Sequence, residues 1–205
     1  GAATNLNTIT AGPADGKVMQ FDGDVYAINL AFGAGTDGTI LLADGKSITG
    51  AVVTPTDADG TLTFAGDGTV VGTVGANAAD IGTLSNNAAD KLVQLDGAVY
   101  AVNVLFNANN SITLADGVSI AGAVTNTTST EGTLTFAGDS TVTGDVGGGS
   151  NLIGTVSNNA ADKLVQFDGD VYATTVLLNA DGSILLADGK SITAAITNTT
   201  STEGT

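Results

Sequence analysis

The residues that could carry chemistry in this chain of 205 residues are carboxylic acids. There are 19 Asp and 2 Glu, but no His and no Cys. The missing types are the commonest general base and the thiol nucleophile. Two chemistries remain open to the acids: glycoside hydrolysis by a carboxylate pair, and coordination of Ca²⁺ by oxygen ligands.

The acids recur at equivalent positions along the chain instead of gathering in one place. The recurrent sets are Asp22, Asp96 and Asp168; Asp44, Asp116 and Asp188; and Asp90 and Asp162. A glycosidase pair occupies a single cleft, whereas an acid that returns with every repeat is typical of a turn former on a solvated surface. We therefore predict no catalytic residue and no enzymatic activity. A polysaccharide-cleaving enzyme is the distant alternative, and it would need a deep, non-repeating cleft that holds two or three Asp.

Calcium binding is the other alternative, because three segments place carboxylates two residues apart, as some calcium loops do. The segments are 22–24, 168–170 and 57–60. They lack the further acids and the terminal Glu of an EF-hand, and the glycine-rich nonapeptide of calcium-binding β-rolls is also missing. The middle copy has Ala98 where the others have Asp24 and Asp170. We predict no metal ligand and no cofactor, with calcium at these pairs as the alternative.

The overall charge limits the classes of partner. The formal net charge is -16, with five Lys and no Arg, so nucleic acid and anionic lipid are repelled. The apolar share of 42% argues against disorder. No apolar run approaches the roughly 20 residues that cross a bilayer, and residues 1–11 lack the basic start and apolar block of a signal peptide. The abundance of Thr, Ser, Asn and Asp is typical of an extracellular surface.

Internal repeats dominate the sequence. Phe64 and Phe136 both lie in Gly-Thr-Leu-Thr-Phe-Ala-Gly-Asp, and Leu95 and Phe167 both precede Asp-Gly; each pair is 72 residues apart. Within each repeat, short runs rich in β-branched residues alternate with Asp- and Gly-rich turns, and no segment has the 3.6-residue period of a helix. Tyr26, Tyr100 and Tyr172 also hold equivalent places, where packing is favoured over a platform for stacking sugars.

These features predict an all-β fold, a right-handed parallel β-helix (β-solenoid) built from tandem repeats of about 72 residues with three coils per repeat. A coil of about 20 residues cannot bury its own apolar face, so the next coil must close it. Equivalent apolar residues should then point inward as one ladder: Leu114, Phe136, Phe167 and Leu186. An antiparallel sandwich is the structural alternative, since Asp-Gly also forms hairpins.

The chain is predicted to be one continuous solenoid segment, 1–205, with repeats at approximately 1–60 (partial), 61–132 and 133–205. It begins and stops in the middle of a repeat, which indicates a partial view of a longer array. No polar capping unit is visible at either end, so we expect open strand edges that favour end-to-end self-association.

The motifs Asn-Ala-Ala-Asp-Lys-Leu-Val-Gln (87–94 and 159–166) and Gly-Thr-Leu-Thr-Phe-Ala-Gly-Asp-x-Thr-Val resemble passenger repeats of bacterial autotransporters. The resemblance is to the rickettsial surface-antigen group, of the outer membrane protein A and B type, and it covers essentially all of the chain. It implies a right-handed β-helical passenger on the bacterial cell surface, anchored in the outer membrane through a region not in this chain.

The resemblance also implies a role. The segment would be a rigid stalk or scaffold that contributes to host-cell adhesion or surface coating, with the host-cell surface or neighbouring surface proteins as partners. The alternative is a subunit of a self-assembling surface layer or filament that polymerises through the solenoid ends. No nucleic acid and no membrane insertion are expected for this segment.

Overall fold

The structure is a computed structural model that describes residues 5–11, 16–35 and 37–199. These ranges contain strands, turns and bends but no helix, so none of them could cross a bilayer as a helix. The strands are β1 Leu6–Ala11, β2 Val18–Phe21, β3 Val25–Phe32, β4 Thr39–Leu42, β5 Lys46–Val53, β6 Asp59–Phe64, β7 Gly68–Val71, β8 Ile81–Asn86, β9 Leu92–Leu95, β10 Val99–Phe106, β11 Ser111–Leu114, β12 Ile120–Asn126, β13 Thr133–Phe136, β14 Ser140–Val142, β15 Ile153–Asn158, β16 Leu164–Phe167, β17 Val171–Leu178, β18 Ser183–Leu186 and β19 Ile192–Asn198.

Each strand pairs with the strand two places further along the chain, and every pairing between these strands is parallel. The odd strands form one sheet of ten and the even strands one of nine. Parallel pairing of strands two apart is the signature of stacked coils, so the chain is a β-solenoid and the antiparallel sandwich is wrong. In the described ranges the one antiparallel bridge joins Ala76 and Ala79, inside a tight loop.

The long strands bend, and this bend gives each coil three sides. In β5 the first four residues pair with β7, whereas Val52 pairs with Val74, beyond the end of β7. The bend is at Gly50, where φ is +135° and an added Cβ would lie 1.8 Å from the carbonyl oxygen of Ala27 in the coil below. Only glycine fits there. Gly122 repeats this geometry, with φ at +149°.

We number the three sides by the segments that stack on each. Side 1 contains 18–21, 39–42, 61–64, 83–86, 103–106, 123–126, 146, 171–172 and 192–193. Side 2 contains 25–26, 46–49, 68–71, 92–95, 111–114, 133–136, 155–158, 175–178 and 195–198. Side 3 contains 8–11, 29–32, 51–53, 74, 99–100, 120–121, 140–142, 164–167 and 183–186. The junctions are called edge 1–2, edge 2–3 and edge 3–1.

The core is a set of apolar columns that run along the axis. On side 2 one column is Val93, Ile112, Leu134, Val156 and Val176, and each of these is at most 1% exposed. Because each coil covers the apolar face of the next, the columns bury surface that no coil could bury alone. The prediction of one interior shared by successive coils is confirmed.

The predicted single ladder is wrong in detail, because it divides between two sides. Leu114 and Phe136 stack in register on side 2, and Phe167 and Leu186 stack in register on side 3. The first three are fully buried, whereas Leu186 is partly buried. The two ladders meet across the core, where the rings of Phe136 and Phe167 pack edge to face with centroids 5.8 Å apart.

The division follows from the number of sides that 72 residues contain. Phe64 lies on side 1 but Phe136 on side 2, and Leu95 lies on side 2 but Phe167 on side 3. A step of 72 residues therefore covers ten sides, or three and one third coils, and the predicted three coils per repeat is wrong. The count rises because corners are turned inside strands without a loop, at Gly50 in β5 and Gly122 in β12 and also within β3, β10, β17 and β19. Equivalent residues consequently appear on sides 1, 2 and 3 in turn.

This rotation predicts specific distances between labels. The chain has no Cys, so pairs of introduced cysteines on the outer faces of the strands can carry spin labels without interference. Leu92 and Thr155 lie on side 2 three coils apart, and their Cα atoms should be about 14 Å apart. Leu92 and its equivalent Leu164 are further apart along the axis and lie on different sides of the rod. Their Cα atoms should therefore be roughly 20–25 Å apart. Equal distances for the two pairs in pulsed electron paramagnetic resonance would restore three whole coils per repeat.

Candidate functional site

The aspartates at the edges hydrogen bond from one coil to the next. Where the chain leaves a sheet, backbone N–H groups lose their ladder partners, and an Asp Oδ1 atom in the preceding coil accepts the bond. The donor N–H groups and their Asp acceptors are Ser47 and Asp24 (2.8 Å), Asp67 and Asp44 (2.7 Å), Asp80 and Asp57 (3.0 Å), Leu92 and Asp67 (2.8 Å), Asp139 and Asp116 (2.8 Å), Leu164 and Asp139 (2.8 Å), Asp170 and Asp145 (2.8 Å), and Ser191 and Asp170 (2.9 Å). The recurrence of acids therefore has a structural cause.

A cluster of Asp44, Asp67 and Lys91 spans three successive coils at edge 1–2. The Nζ atom of Lys91 lies 2.9 Å from Asp44 Oδ2 and 3.1 Å from Asp67 Oδ2. Stacked carboxylates repel each other, and the shared ammonium offsets that repulsion. We call this group the first edge cluster.

The bonds within the first edge cluster shift the titration of its members. The hydrogen bond from Lys91 lowers the pKa of Asp44, and the backbone N–H of Leu92, together with Lys91, lowers the pKa of Asp67. The hydrogen bonds to Asp44 and Asp67 raise the pKa of Lys91. All three groups are thus held in their charged forms at neutral pH.

A second edge cluster repeats the arrangement one edge further round the rod. Lys163 Nζ lies 2.8 Å from Asp116 Oδ2 and 3.2 Å from Asp139 Oδ2, at edge 2–3. At edge 3–1 a longer contact of 3.9 Å joins Lys190 and Asp170. The clusters follow the rotation of the repeat.

The acid sets that the sequence singled out are distributed over the three edges and do not meet in a cleft. Asp22, Asp96 and Asp168 lie at edges 1–2, 2–3 and 3–1, and each accepts a hydrogen bond from the Gln two residues before it. Asp90 and Asp162 adopt positive φ angles of 58° and 57°. In these positions they shape the turn that precedes each clustered lysine.

Asp44 and Asp116 belong to the edge clusters, and their equivalent Asp188 is exposed at edge 3–1.

One acid of each of two carboxylate pairs that suggested calcium accepts hydrogen bonds from a serine of the next coil. Asp24 Oδ1 accepts bonds from the N–H and the hydroxyl of Ser47, at 2.8 and 3.1 Å, and Asp170 Oδ1 does the same with Ser191, at 2.9 Å for both. These bonds lower the pKa of both acids. Within the described residues, no group of three or more His, Cys, Asp or Glu is arranged to hold a metal ion.

The third predicted pair, in the segment 57–60, lies at edge 3–1 beside Asp80. Burial and the nearby charge of Asp57 raise the pKa of Asp80, and the Oδ2 atom of Asp59 is buried without a hydrogen-bond partner in the structure. Seventy-two residues on, the equivalent positions are Ser129, Glu131 and Leu152. This acidic group therefore belongs to one copy alone.

Buried asparagines are the residues that sequence reasoning missed. Asn86, Asn126 and Asn158 are at most 5% exposed and occupy inward positions at the ends of their strands. The Nδ2 atom of Asn126 donates to the carbonyl oxygens of Thr128, Glu131 and Leu152, at 2.7, 3.1 and 2.7 Å. Each amide satisfies carbonyls inside a turn. The recurrence of Ser-Asn-Asn-Ala-Ala-Asp at 85–90 and 157–162 was the signal that could have identified two of them.

The equivalent tyrosines do not form a common platform. Tyr26 lies on side 2, Tyr100 on side 3 and Tyr172 on side 1. Tyr26 is 47% exposed, and the other two are half-buried.

The edge clusters make stability depend on pH in a predictable way. A lowered aspartate pKa stabilises the fold above the unfolded value of about 4, and this contribution is lost as the pH falls through the folded values. The raised pKa of Lys91 and Lys163 stabilises the fold below about pH 10 and is lost as the pH rises through the folded values. We expect the Lys91→Met, Lys163→Met double variant to unfold at lower temperature than the parent chain at pH 7, with the difference shrinking below pH 4 and in high salt.

Lys46→Met is the matched control for this experiment, since Lys46 forms no ion pair with any described residue. It removes one positive charge from the surface, where the double variant removes two, and it leaves both edge clusters intact. The unfolding temperatures of the parent chain, the double variant and the control are measured by circular dichroism. A difference between the double variant and the parent that does not change with pH would contradict the assignment of the edge clusters.

Comparison with known proteins supplies one relative. No protein-family model matches the chain, and no solved structure matches it. The chain is 31% identical over 237 aligned residues to outer membrane protein A of Rickettsia rickettsii, a match that covers 96% of this chain and 10% of that protein. The chain thus spans about a tenth of the length of the relative. This similarity confirms that the chain is related to the rickettsial surface antigens, the group that its repeat motifs resemble.

Proposed function

We propose that the chain is a rigid segment of a bacterial cell-surface protein, a stalk or scaffold that contributes to host-cell adhesion or to coating of the surface. The observation that carries the proposal is the unbroken stacking of parallel coils in a chain related to an outer membrane protein. The segment is anchored through a region outside this sequence, and its partners are the host-cell surface or neighbouring surface proteins.

Three features suit the chain to this mechanical role. Backbone ladders run along all three sides, the apolar columns join every coil to the next, and the Asp bonds close the edges. Nine coils at about 4.8 Å each give a rod about 40 Å long. The net charge of -16 keeps such rods apart in solution. We propose that the coil is right-handed, as parallel crossovers almost always are, and that the segment catalyses no reaction.

Solution scattering separates this function from its alternative, a subunit that polymerises through the solenoid ends. A scaffold gives a constant, elongated monomer across a concentration series in small-angle X-ray scattering and light scattering. Growth of the mass with concentration would favour the self-assembling subunit. Beads that carry the folded chain should also retain cultured host cells better than beads that carry the same chain after unfolding in urea, and equal retention would argue against the adhesive role.

We further propose that the rod needs no metal ion. In the pairs at 22–24 and 168–170, the Oδ1 atoms of Asp24 and Asp170 already accept hydrogen bonds from serines of the next coil. The unfolding temperature should therefore be the same in EDTA and in millimolar CaCl₂. A rise of several degrees in calcium, abolished by Asp170→Asn but not by Asp188→Asn, would establish a calcium site.

A further inference from the structure

An open hollow of about 470 Å³ lies on side 2, across the starts of β5, β7 and β9. Ser47, Thr69 and Gln94 line it in register, one from each of three successive coils. The two hydroxyl residues come from the first two of these coils, and Gln94 and the 43% exposed Leu92 come from the third. The hollow is large enough for a small ligand.

The polar side chains around the hollow are held in place by groups outside it. Gln94 Nε2 donates to Asp96 Oδ1 at 2.9 Å, and the Ser47 hydroxyl donates to Asp24 Oδ1 at 3.1 Å. Asp67 accepts bonds from the N–H of Leu92 at 2.8 Å and from Lys91 Nζ at 3.1 Å. Each fixed group keeps spare capacity, because the amide has a second N–H and a carbonyl oxygen, and the serine and carboxylate oxygens have further lone pairs.

Lys46 completes the lining, and its ammonium makes no ion pair with any described residue. It differs in this from Lys91, Lys163 and Lys190. Its three N–H donors can therefore turn toward a molecule in the hollow.

We propose that this hollow binds one neutral hexose unit of a glycan. Fixed carboxylate, amide, hydroxyl and ammonium groups match the dense hydroxyls of a sugar, and Leu92 offers an apolar surface to the C–H face of the pyranose ring. The charge of -16 and the nearby carboxylates of Asp24, Asp44 and Asp67 disfavour acidic sugars. The proposal rests on the adhesive role above, to which it gives a class of ligand.

The second copy offers an internal comparison. Equivalent residues recur at edge 2–3 and along the start of side 3: Ser119, Asp139, Thr141, Leu164 and Gln166. The position of Lys46 is taken there by Val118, which is 4% exposed and packs into the core. The ammonium is therefore missing from the second copy.

Titration of the isotopically labelled whole chain with methyl glycosides of glucose, galactose, mannose and N-acetylglucosamine tests the proposal by NMR. At least one of them should bind with a dissociation constant on the order of millimolar and shift amide signals around Ser47, Thr69 and Leu92. The methyl glycoside of glucuronic acid should bind several-fold more weakly. The absence of shifts at roughly 50 mM of every neutral sugar, or tighter binding of the glucuronide, would overturn the proposal.

Variants locate the site. Thr69→Val with Gln94→Leu should weaken binding at least tenfold, and Lys46→Val, which copies the second repeat, should weaken it several-fold. The matched control is Thr141→Val with Gln166→Leu, which makes the same changes on side 3 and should leave binding unchanged. An equal loss in the control, or no loss in the first pair, would contradict the assignment. Circular dichroism confirms that each variant keeps its fold.

The scaffold and the sugar site fail separately. Growth of the mass in scattering would reject the monomeric rod but would not affect the NMR evidence for the hexose site. Failure of the titration, with a constant elongated monomer, would reject the hexose site alone.

Discussion

The rest of the structure depends on in-register parallel stacking, which places each residue directly over an equivalent residue one coil away. Stacking favours apolar side chains, because a Leu above a Phe buries both. For charges the same geometry is costly, since an Asp above an Asp places two carboxylates about 5 Å apart. The chain answers with the backbone N–H of the next coil and with one lysine shared by two acids, as Lys91 is by Asp44 and Asp67. The recurrent aspartates are therefore the means by which charged edges stack.

The two copies of the repeat also differ in how their core residues pack. In the first copy, an added Cβ at Gly68 would lie 2.5 Å from the ring of Phe64. The residue at the end of β9 in that copy is the buried Leu95. In the second copy Ser140 replaces the glycine, Phe167 replaces Leu95, and Phe136 packs edge to face on Phe167. The Ser140 hydroxyl is buried without a hydrogen-bond partner in the structure, which costs about 1–3 kcal/mol. The repeats are thus not interchangeable units, because the second copy differs from the first both at the start of β14 and in the Phe136–Phe167 ring pair of the core.

The sequence was sufficient to predict the stacked coils, the common core and the role of Asp at turns, because each of these follows from local composition and from self-similarity. It was insufficient for the path of the coil. A corner normally appears as a loop of Gly, Asn and Asp, but at Gly50 and Gly122 the strand continues through the corner. Each strand that turns such a corner therefore looks like a single side in the sequence. The ten sides of a repeat were for this reason interpreted as three coils. The edge clusters were missed for a related reason, since Asp44 and Lys91 are 47 residues apart and only the correct coil count brings them together.

The extra side has a consequence for a surface rod. With three whole coils per repeat, the equivalent members of each acidic set would lie on the same edge of the rod, and their like charges would be aligned along it. With three and one third coils, the two edge clusters lie on different edges, and so do Asp22, Asp96 and Asp168. Equivalent acids are then separated by a whole side of the rod, and four or five residues at about 3.3 Å each exceed the Debye length of about 8 Å at physiological salt. The rotation lowers self-repulsion within the rod while it presents an acidic edge in every direction, so that rods held side by side repel one another whichever way they face.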